Sequence, residues 1–382
     1  MRTRGDAFPF SSLAVKQCRD VADYEKIKQV GEGTFGKVYM ARSKKGGPLV
    51  ALKKLKVHSE GDGFPLCSVR EIKILTALKH KNIVNLVEIV TNYDSQRRAA
   101  GSGSPSLVDD DADDDAGDSS IYMVFEYLEF DLQGLMEAAK VDATLRISPQ
   151  HVRCWVEQML CGVEHMHRNR FLHRDLKGAN ILVGRDNRLK IADWGLARPM
   201  SEHLKNYTPG LFTLGFRPLD ILLGSAAYDT AADMWSVGCI VGELLLRKPL
   251  FPVYSPSEAD QIQTIFEVCG SPKLSDTAAG VAADPTYRHD VWPGVVACPH
   301  WHLHAHLEPR PRTLQARFGG NAHEVRGTRA MKVGKLGVSV EALDLLEQLL
   351  TLDPARRVTA EKALTHGYFI NATDGEVRSH DK

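Results

Sequence analysis

The stretch "LHRDLKGANILV" (172–183), followed by "LKIADWG" (189–195), decides how the rest of the chain is read. Asp175, Lys177 and Asn180 fall within six residues of one another, and Asp193 follows a short distance downstream. Moving a phosphoryl group onto a hydroxyl needs a carboxylate to orient the attacking oxygen. It also needs an amide and a second carboxylate to hold a divalent cation, and a positive charge beside the moving group. The stretch supplies each of these groups. Taken together and in this order, they read as a working set rather than as four unrelated polar residues.

Upstream, "GEGTFGKV" (31–38) sets Gly31, Gly33 and Gly36 between two strand-like runs. The GxGxxG spacing alone is weak, because dinucleotide-binding folds share it; there it opens a helix, and here it joins strand to strand. A loop of this kind lets backbone lie close over a polyphosphate. "VALKK" (50–54) puts Lys53 in a strand, where its ammonium can meet phosphate oxygens, and Glu71 in the following helix can hold it. A single strand Lys is ordinarily solvated and a single helical Glu ordinarily lies on the surface. The catalytic stretch is what gives this pair its weight.

From Tyr24 to about Leu78 short alternating runs predict strands, and "GFPLCSVREIKILTALKHK" (63–81) predicts a helix opened by Pro65. Residues 92–120, "NYDSQRRAAGSGSPSLVDDDADDDAGDSS", are nearly free of large apolar side chains. They are expected as an acidic, solvated insert between two strands; their spacing does not match a calcium loop. From Ser148 onward helical periodicity dominates. The expected architecture is α+β and two-lobed, a strand-rich lobe over 24–128 and a helical lobe over 129–370. Tails are expected at 1–23 and 371–382, and an irregular surface excursion at 273–335.

The 382 residues are 43% hydrophobic and 25% charged with zero formal net charge, so no global field draws the chain to nucleic acid or an anionic membrane. Seven cysteines without a CxxC pair fit a reduced compartment. The opening "MRTRGDAFPFSSL" lacks the apolar core of a secretory signal. The most apolar run, "SVGCIVGELLL" (236–246), is too short to span a bilayer and contains Glu243. A soluble intracellular protein is expected. "ACPHWHLHAHLE" (297–308) alternates Cys298, His300, His302, His304 and His306, which a strand would place on one face. Zinc sites favour CxxC or HxxxH spacings and the segment reads as a loop, so metal binding is not expected there.

Over residues 24–370 the sequence resembles the eukaryotic protein kinases, with Lys177 two residues after Asp175 as in the serine/threonine pattern. The resemblance implies that Asp175 is the catalytic base, that Lys177 contacts the transferred phosphate, and that Thr213 bridges the two. Asn180 and Asp193 would hold Mg²⁺, and Lys53 would pair with Glu71. Val30, Gly31, Glu32, Gly33, Thr34, Phe35 and Gly36 would cover ATP, with Val38, Ala51 and Leu182 sandwiching the base. "MVFEYLEFDL" (123–132) resembles the hinge: Phe125 at the gatekeeper position, Glu126 and Leu128 bonding adenine, Asp131 at the ribose.

"GFPLCSVREIKIL" is similar to the cyclin-docking helix of cyclin-dependent kinases. "CGSP" (269–272), "VWPGV" (291–295) and "EALDLLEQLLTLDPARRVTAEKALTHGYF" (341–369) point the same way. Within that group the likeness is to the transcriptional, elongation-factor-b-type members. This implies a cyclin partner, the C-terminal repeats of RNA polymerase II as protein substrate, a nuclear location, and neither nucleic acid nor membrane as a direct partner. Cell-cycle or splicing-type kinases, and a cyclin-binding pseudokinase scaffold, are the alternatives. Thr208 stands at the activating threonine position, with Arg70, Arg174 and Arg198 as its phosphate-binding cluster. Phe35 replaces the inhibitory tyrosine.

Several positions depart from the family. Trp194 replaces the phenylalanine beside the metal-binding aspartate. Asp220 stands where a glutamate pairs with an arginine, here Arg357, and the shorter side chain is expected to loosen the pair. The pocket that takes proline after the target residue is shaped in the family by two valines, a tryptophan and an arginine; here the positions are Leu211, Phe212, Gly215 and Arg217. Phe212 is expected either to fill the space left by the tryptophan or to narrow the proline slot. Asp233 is expected to support the catalytic loop backbone.

Overall fold

A computed structural model describes residues 18–33, 36–55, 66–92, 120–142, 144–200, 207–274, 289–319, 332–333 and 338–370. The chain divides into two units, Met1–Pro65 with Asn85–Tyr127, and Leu66–Val84 with Leu128–Lys382.

The first unit is a six-stranded sheet: β1 (Arg19–Asp20), β2 (Tyr24–Gly33), β3 (Gly36–Ser43), β4 (Leu49–Lys54), β5 (Leu86–Thr91) and β6 (Ile121–Glu126), in the order β1-β5-β6-β4-β3-β2. Alternation in these strands turns Tyr39, Ala41, Val50, Leu52, Val90, Tyr122 and Val124 into one buried cluster with Tyr24. The Lys26 ammonium lies 4.4 Å from the Tyr39 ring centre. Arg19 and Asp20, expected in a tail, instead form an edge strand parallel to β5, with Arg19 opposite Val90. Two residues are too few to show a period. Arg19 is held by side-chain ion pairs to Asp23 and Glu88. The acidic run 93–119 lies outside the described residues. The described residues on either side of it are bonded to each other, Asn92 N–H donating to Ser120 O (3.2 Å) and Ser120 N–H to Asn92 Oδ1 (2.7 Å).

The second unit contains α1 (Leu66–Ala77), α2 (Leu132–Val141), α3 (Pro149–Arg168), α4 (Leu219–Leu222), α5 (Thr230–Leu246), α6 (Glu258–Cys269) and α7 (Val340–Leu349). Helix α1 packs on the Trp194–Leu196 turn. The segment after it is stitched in by Ile191 N–H donating to Asn82 O (2.9 Å) and Val84 N–H to Ile191 O (3.0 Å). Ser148 and His151 cap α3 reciprocally, with Pro149 at its first position. Helix α3 then buries Val152, Val156, Met159, Val163 and Met166, one face at helical spacing.

Helix α5 is buried almost all round. This accounts for the apolar run at 236–246, and no described helix is long and apolar enough to cross a membrane. Close packing depends on its glycines, since a Cβ at Gly242 would stand 2.5 Å from Leu250 Cδ2. The described part of the 273–335 excursion is irregular, as expected, but not superficial. Trp292, Val295, Leu314 and Phe318 are buried, and Arg312 forms a buried ion pair with Glu347. Cys298, His300, His302, His304 and His306 lie in short 3₁₀ turns and loops rather than on a strand. Among the described residues no cluster of His, Cys, Asp or Glu could hold a metal ion. The His300 ring instead packs against Gly224, whose φ of +88° and 2.9 Å clearance exclude a side chain.

All five tryptophans lie in the second unit. Gly242→Val should therefore lower the stability of that unit by about 1–3 kcal/mol through overpacking, read as an earlier midpoint in urea followed by tryptophan fluorescence.

Candidate active site

The loop after α3 is held by a carboxylate from α5. Asp233 Oδ2 accepts from His173 N–H (3.0 Å) and Oδ1 from Arg174 N–H (2.9 Å). His167 Nε2 lies 3.0 Å from Oδ2. Burial alone would push the Asp233 carboxyl up; the His167 bond, the His167 charge and the Arg174 N–H outweigh it and leave the carboxyl below its ordinary value. The grip holds Arg174 at φ 68°, a left-handed conformation that costs a non-glycine residue energy.

This brings four predicted residues together. Asp175 Oδ1 accepts from Thr213 Oγ1 (2.6 Å), while its Oδ2 accepts from Asn180 Nδ2 (3.0 Å) and pairs with Lys177 Nζ (2.9 Å). Lys177 Nζ also donates to Thr213 Oγ1 (3.2 Å). Both carboxylate oxygens are thus fixed in direction, and Asp175 remains only 7% exposed. Asn180 Nδ2 also donates to Asp175 O (2.8 Å), so its amide hydrogens face the loop and its oxygen is left for a hard cation. Ala192 N–H donates to Asn180 O (2.9 Å) and ties the Asn180 backbone to the residue before Asp193. An amide oxygen and a carboxylate are the ligand chemistry magnesium uses.

Asp193 adopts φ 59°, ψ 72° and opens the turn that carries Trp194. The indole is fully buried; its Nε1 donates to Ile191 O (3.2 Å) and its ring meets His173 edge-on at 4.9 Å. Trp194 therefore packs as the expected larger aromatic and acquires a backbone partner that phenylalanine lacks.

The residues expected around ATP divide between the units. In the first, Gly33 pairs with Gly36 across the β2–β3 turn, and Gly31 with Val38. Val30 and Glu32 are exposed on β2, while Thr34 and Phe35 lie outside the described residues. Gly36, at φ +141°, admits no side chain, since a Cβ would fall 1.8 Å from Lys54 O. Ala51 and Lys53 alternate along β4, opposite Phe125 and Met123 of β6. Glu126 Oε1 accepts from Asn85 N–H (2.6 Å). In the second unit Glu71 is buried in α1, and Leu128 and Leu182 are half-buried. Asp131, expected at the ribose, caps α2 by accepting from Gly134 N–H (2.8 Å).

Arg174 Nε and Nη2 donate to Leu196 O (2.8 and 2.6 Å), and Nη1 donates to Tyr228 OH (3.2 Å). That hydroxyl in turn donates to Thr208 O (3.1 Å). Thr208 is exposed, and Arg198 Nη1 is buried with no hydrogen-bond partner among the described residues. Arg70 is half-buried in α1. Tyr228, which links the predicted phosphosite to one of its predicted arginines, carries no motif that could have singled it out.

Residues 24–369 match the protein kinase domain. The chain belongs to the protein kinase family. It is 40% identical over 352 residues to cyclin-dependent kinase C-1 of Arabidopsis thaliana, covering 92% of this chain and 60% of that one. To cyclin-dependent kinase G1 of the same plant it is 38% identical over 358 residues, covering 92% and 49%. The chain thus spans three fifths or less of the length of these relatives. Among solved structures it resembles the yeast RNA Pol II CTD kinase CTDK-1 complex, with a TM-score of 0.71 and 31% identity over 95% of this chain and 97% of that one.

In this kinase domain the four positions expected to shape a proline pocket lie in the irregular segment 211–217. Phe212 points inward, 2% exposed, against Leu172, Ile221, Tyr228 and Ala232. It therefore neither fills the space beside Gly215 nor narrows a surface slot. The chain after α5 closes on Gly215 instead, with Phe251 O and Val253 Cγ2 each 3.3 Å from where a Cβ would stand. Leu211 is half-buried in the turn before Phe212. Arg217 Nη2 donates to Phe212 O (2.7 Å), and Nη1 pairs with Glu258.

The Asp220–Arg357 pair is loosened as expected. Asp220 Oδ1 lies 3.8 Å from Arg357 Nη2 and has no hydrogen bond among the described residues. Arg357 donates to the carbonyls of Thr351, Ala231 and Leu352 and lies over Trp235. Burial pushes the Asp220 carboxyl up, with Arg357 pulling it back.

Asp220→Glu adds the missing methylene and should stabilise the unit by about 1 kcal/mol, a rise in Tm of roughly 2–4 °C by differential scanning fluorimetry. Asp233→Asn should cost about 3–5 kcal/mol at neutral pH. The Asp233 carboxyl is depressed in the fold from 3.8, so its stabilisation is fully present above about pH 4 and is lost as pH falls through the lower native value. The gap between wild type and variant should narrow below pH 4 in urea titrations.

Proposed function

We propose that the chain is an ATP- and Mg²⁺-dependent serine/threonine kinase of the cyclin-dependent type, acting in the nucleus on the C-terminal repeats of RNA polymerase II. The observation that carries this reading is the Asp175 carboxylate, fixed by Thr213, Lys177 and Asn180. Every chemical group the transfer needs is present.

Asp175 orients the substrate hydroxyl and receives its proton, and Lys177 stands beside the same carboxylate to meet charge on the moving phosphoryl group. Asn180 and Asp193 would hold Mg²⁺, which would supply positive charge to neutralise the phosphates. Lys53 and Glu71 position the phosphates. The partner, a cyclin, docks on α1 and its preceding segment. Thr208, once phosphorylated, is met by Arg198, whose Nη1 lacks a partner, and by Arg70 and Arg174. The names of the plant relatives support the cyclin-dependent type, and the yeast CTD kinase complex supports the substrate. The scaffold reading has the loosened Asp220–Arg357 pair on its side and no lost catalytic group.

The test is transfer of labelled phosphate from ATP to a polymerase C-terminal repeat peptide, by the chain purified with its co-precipitating cyclin. Asp175→Asn should reduce transfer by about 10²–10⁴-fold. Equal incorporation by the variant, or none by the wild type on this or a degenerate peptide library, would overturn the reading.

A further inference from the structure

A cavity of about 270 Å³ opens beside the substrate loop in the second unit, walled by Met136, Phe216, Phe251 and Val253. Thr213, whose hydroxyl is bonded to Asp175, lines the same cavity, as does Gly215. The cavity therefore starts one side chain away from the catalytic carboxylate. Glu243, from α5, is one of its acceptors, beside Gln133 and the Glu137 already paired with Lys140. Among the described residues its carboxylate makes no hydrogen bond or ion pair, although it lies mostly out of water.

The charges around it decide what it can hold. Lys140, Arg247 and Lys248 line the cavity against Glu137 and Glu243, and Glu137 is already paired with Lys140 at 2.6 Å. Arg247 Nη1 is itself buried with no hydrogen-bond partner among the described residues. A substrate arginine or lysine would meet an excess of positive charge. A plain aliphatic group would leave Glu243 buried and unsatisfied. An aromatic body fits the apolar walls, and one polar hydrogen at its tip satisfies the acceptor.

We propose that this cavity is a substrate pocket for a tyrosine side chain close in sequence to the phosphoacceptor, with Glu243 accepting the phenol hydrogen. The pocket rests on the kinase reading above and names what that site selects. Burial pushes the Glu243 carboxyl up to about 7, against the pull of Lys140, so deprotonation towards mildly alkaline pH strengthens it as an acceptor.

The experiment uses the full chain with its co-purified cyclin and serine peptides that place tyrosine, phenylalanine, alanine or arginine at each flanking position. Transfer is read as kcat/KM, and binding of the same peptides by fluorescence anisotropy, so a chain without turnover still reports on the pocket. At one flanking position tyrosine should exceed alanine by about tenfold or more, and phenylalanine by several-fold. Glu243→Met should erase the tyrosine-over-phenylalanine preference and keep aromatic over alanine. Val253→Trp, which fills the cavity from its exposed rim, should erase both; it is preferred to Gly215→Trp, which would press on Phe251 O. Equal rates and affinities for all four peptides at every position would overturn the pocket while leaving the kinase intact. So would a preference for arginine that Glu243→Met removes. Absence of transfer with tyrosine-selective binding would keep the pocket and overturn the kinase reading.

Discussion

The arrangement of the active site depends on one buried carboxylate that performs no chemistry. Asp233 receives two consecutive backbone N–H groups of the catalytic loop and an imidazole from the preceding helix. Without it those donors would be buried and unpaired, and the strained backbone at Arg174 would have nothing to hold it. Because α5 is buried almost all round, the loop inherits the rigidity of the core. Trp194 extends the same support to the second catalytic segment, since its ring rests on His173.

Thr213 stands between two kinds of surroundings. On one side its hydroxyl belongs to the network around Asp175, whose bonds are directional. On the other it lines, with Gly215 and Phe216, the cavity that reaches Glu243. Phe212 has been absorbed by the core, and Arg217 holds the loop through carbonyls and Glu258. The packing of Phe212 and the bonds of Arg217 are thus separate from the hydrogen bonds that fix Asp175.

The catalytic loop was legible in the sequence because Asp175, Lys177 and Asn180 work within one short turn, where spacing fixes geometry. The strands were legible where alternation ran for several residues. Arg19–Asp20 was not, since two residues show no period and its hold comes from distant Glu88. The direction of Phe212 was equally hidden, because a single residue in an irregular segment has no periodicity to read. Tyr228 and His167 act through partners far along the chain, and the cavity at Glu243 is assembled from α2, the substrate loop and α5, so neither leaves a local signature. Helix α1 has the expected periodicity, but the unit it joins is set by Ile191 and the Trp194 turn.

The crossed hydrogen bonds between Asn92 and Ser120 close the β5–β6 connection at its base. Strand register is then set at that neck, whatever chain lies beyond it. The entropic cost of a longer closed loop rises only logarithmically, about 0.6 kcal/mol for each doubling of its length. The sheet is thus nearly indifferent to the length of chain spliced in between, and the neck alone sets the pairing of β5 with β6.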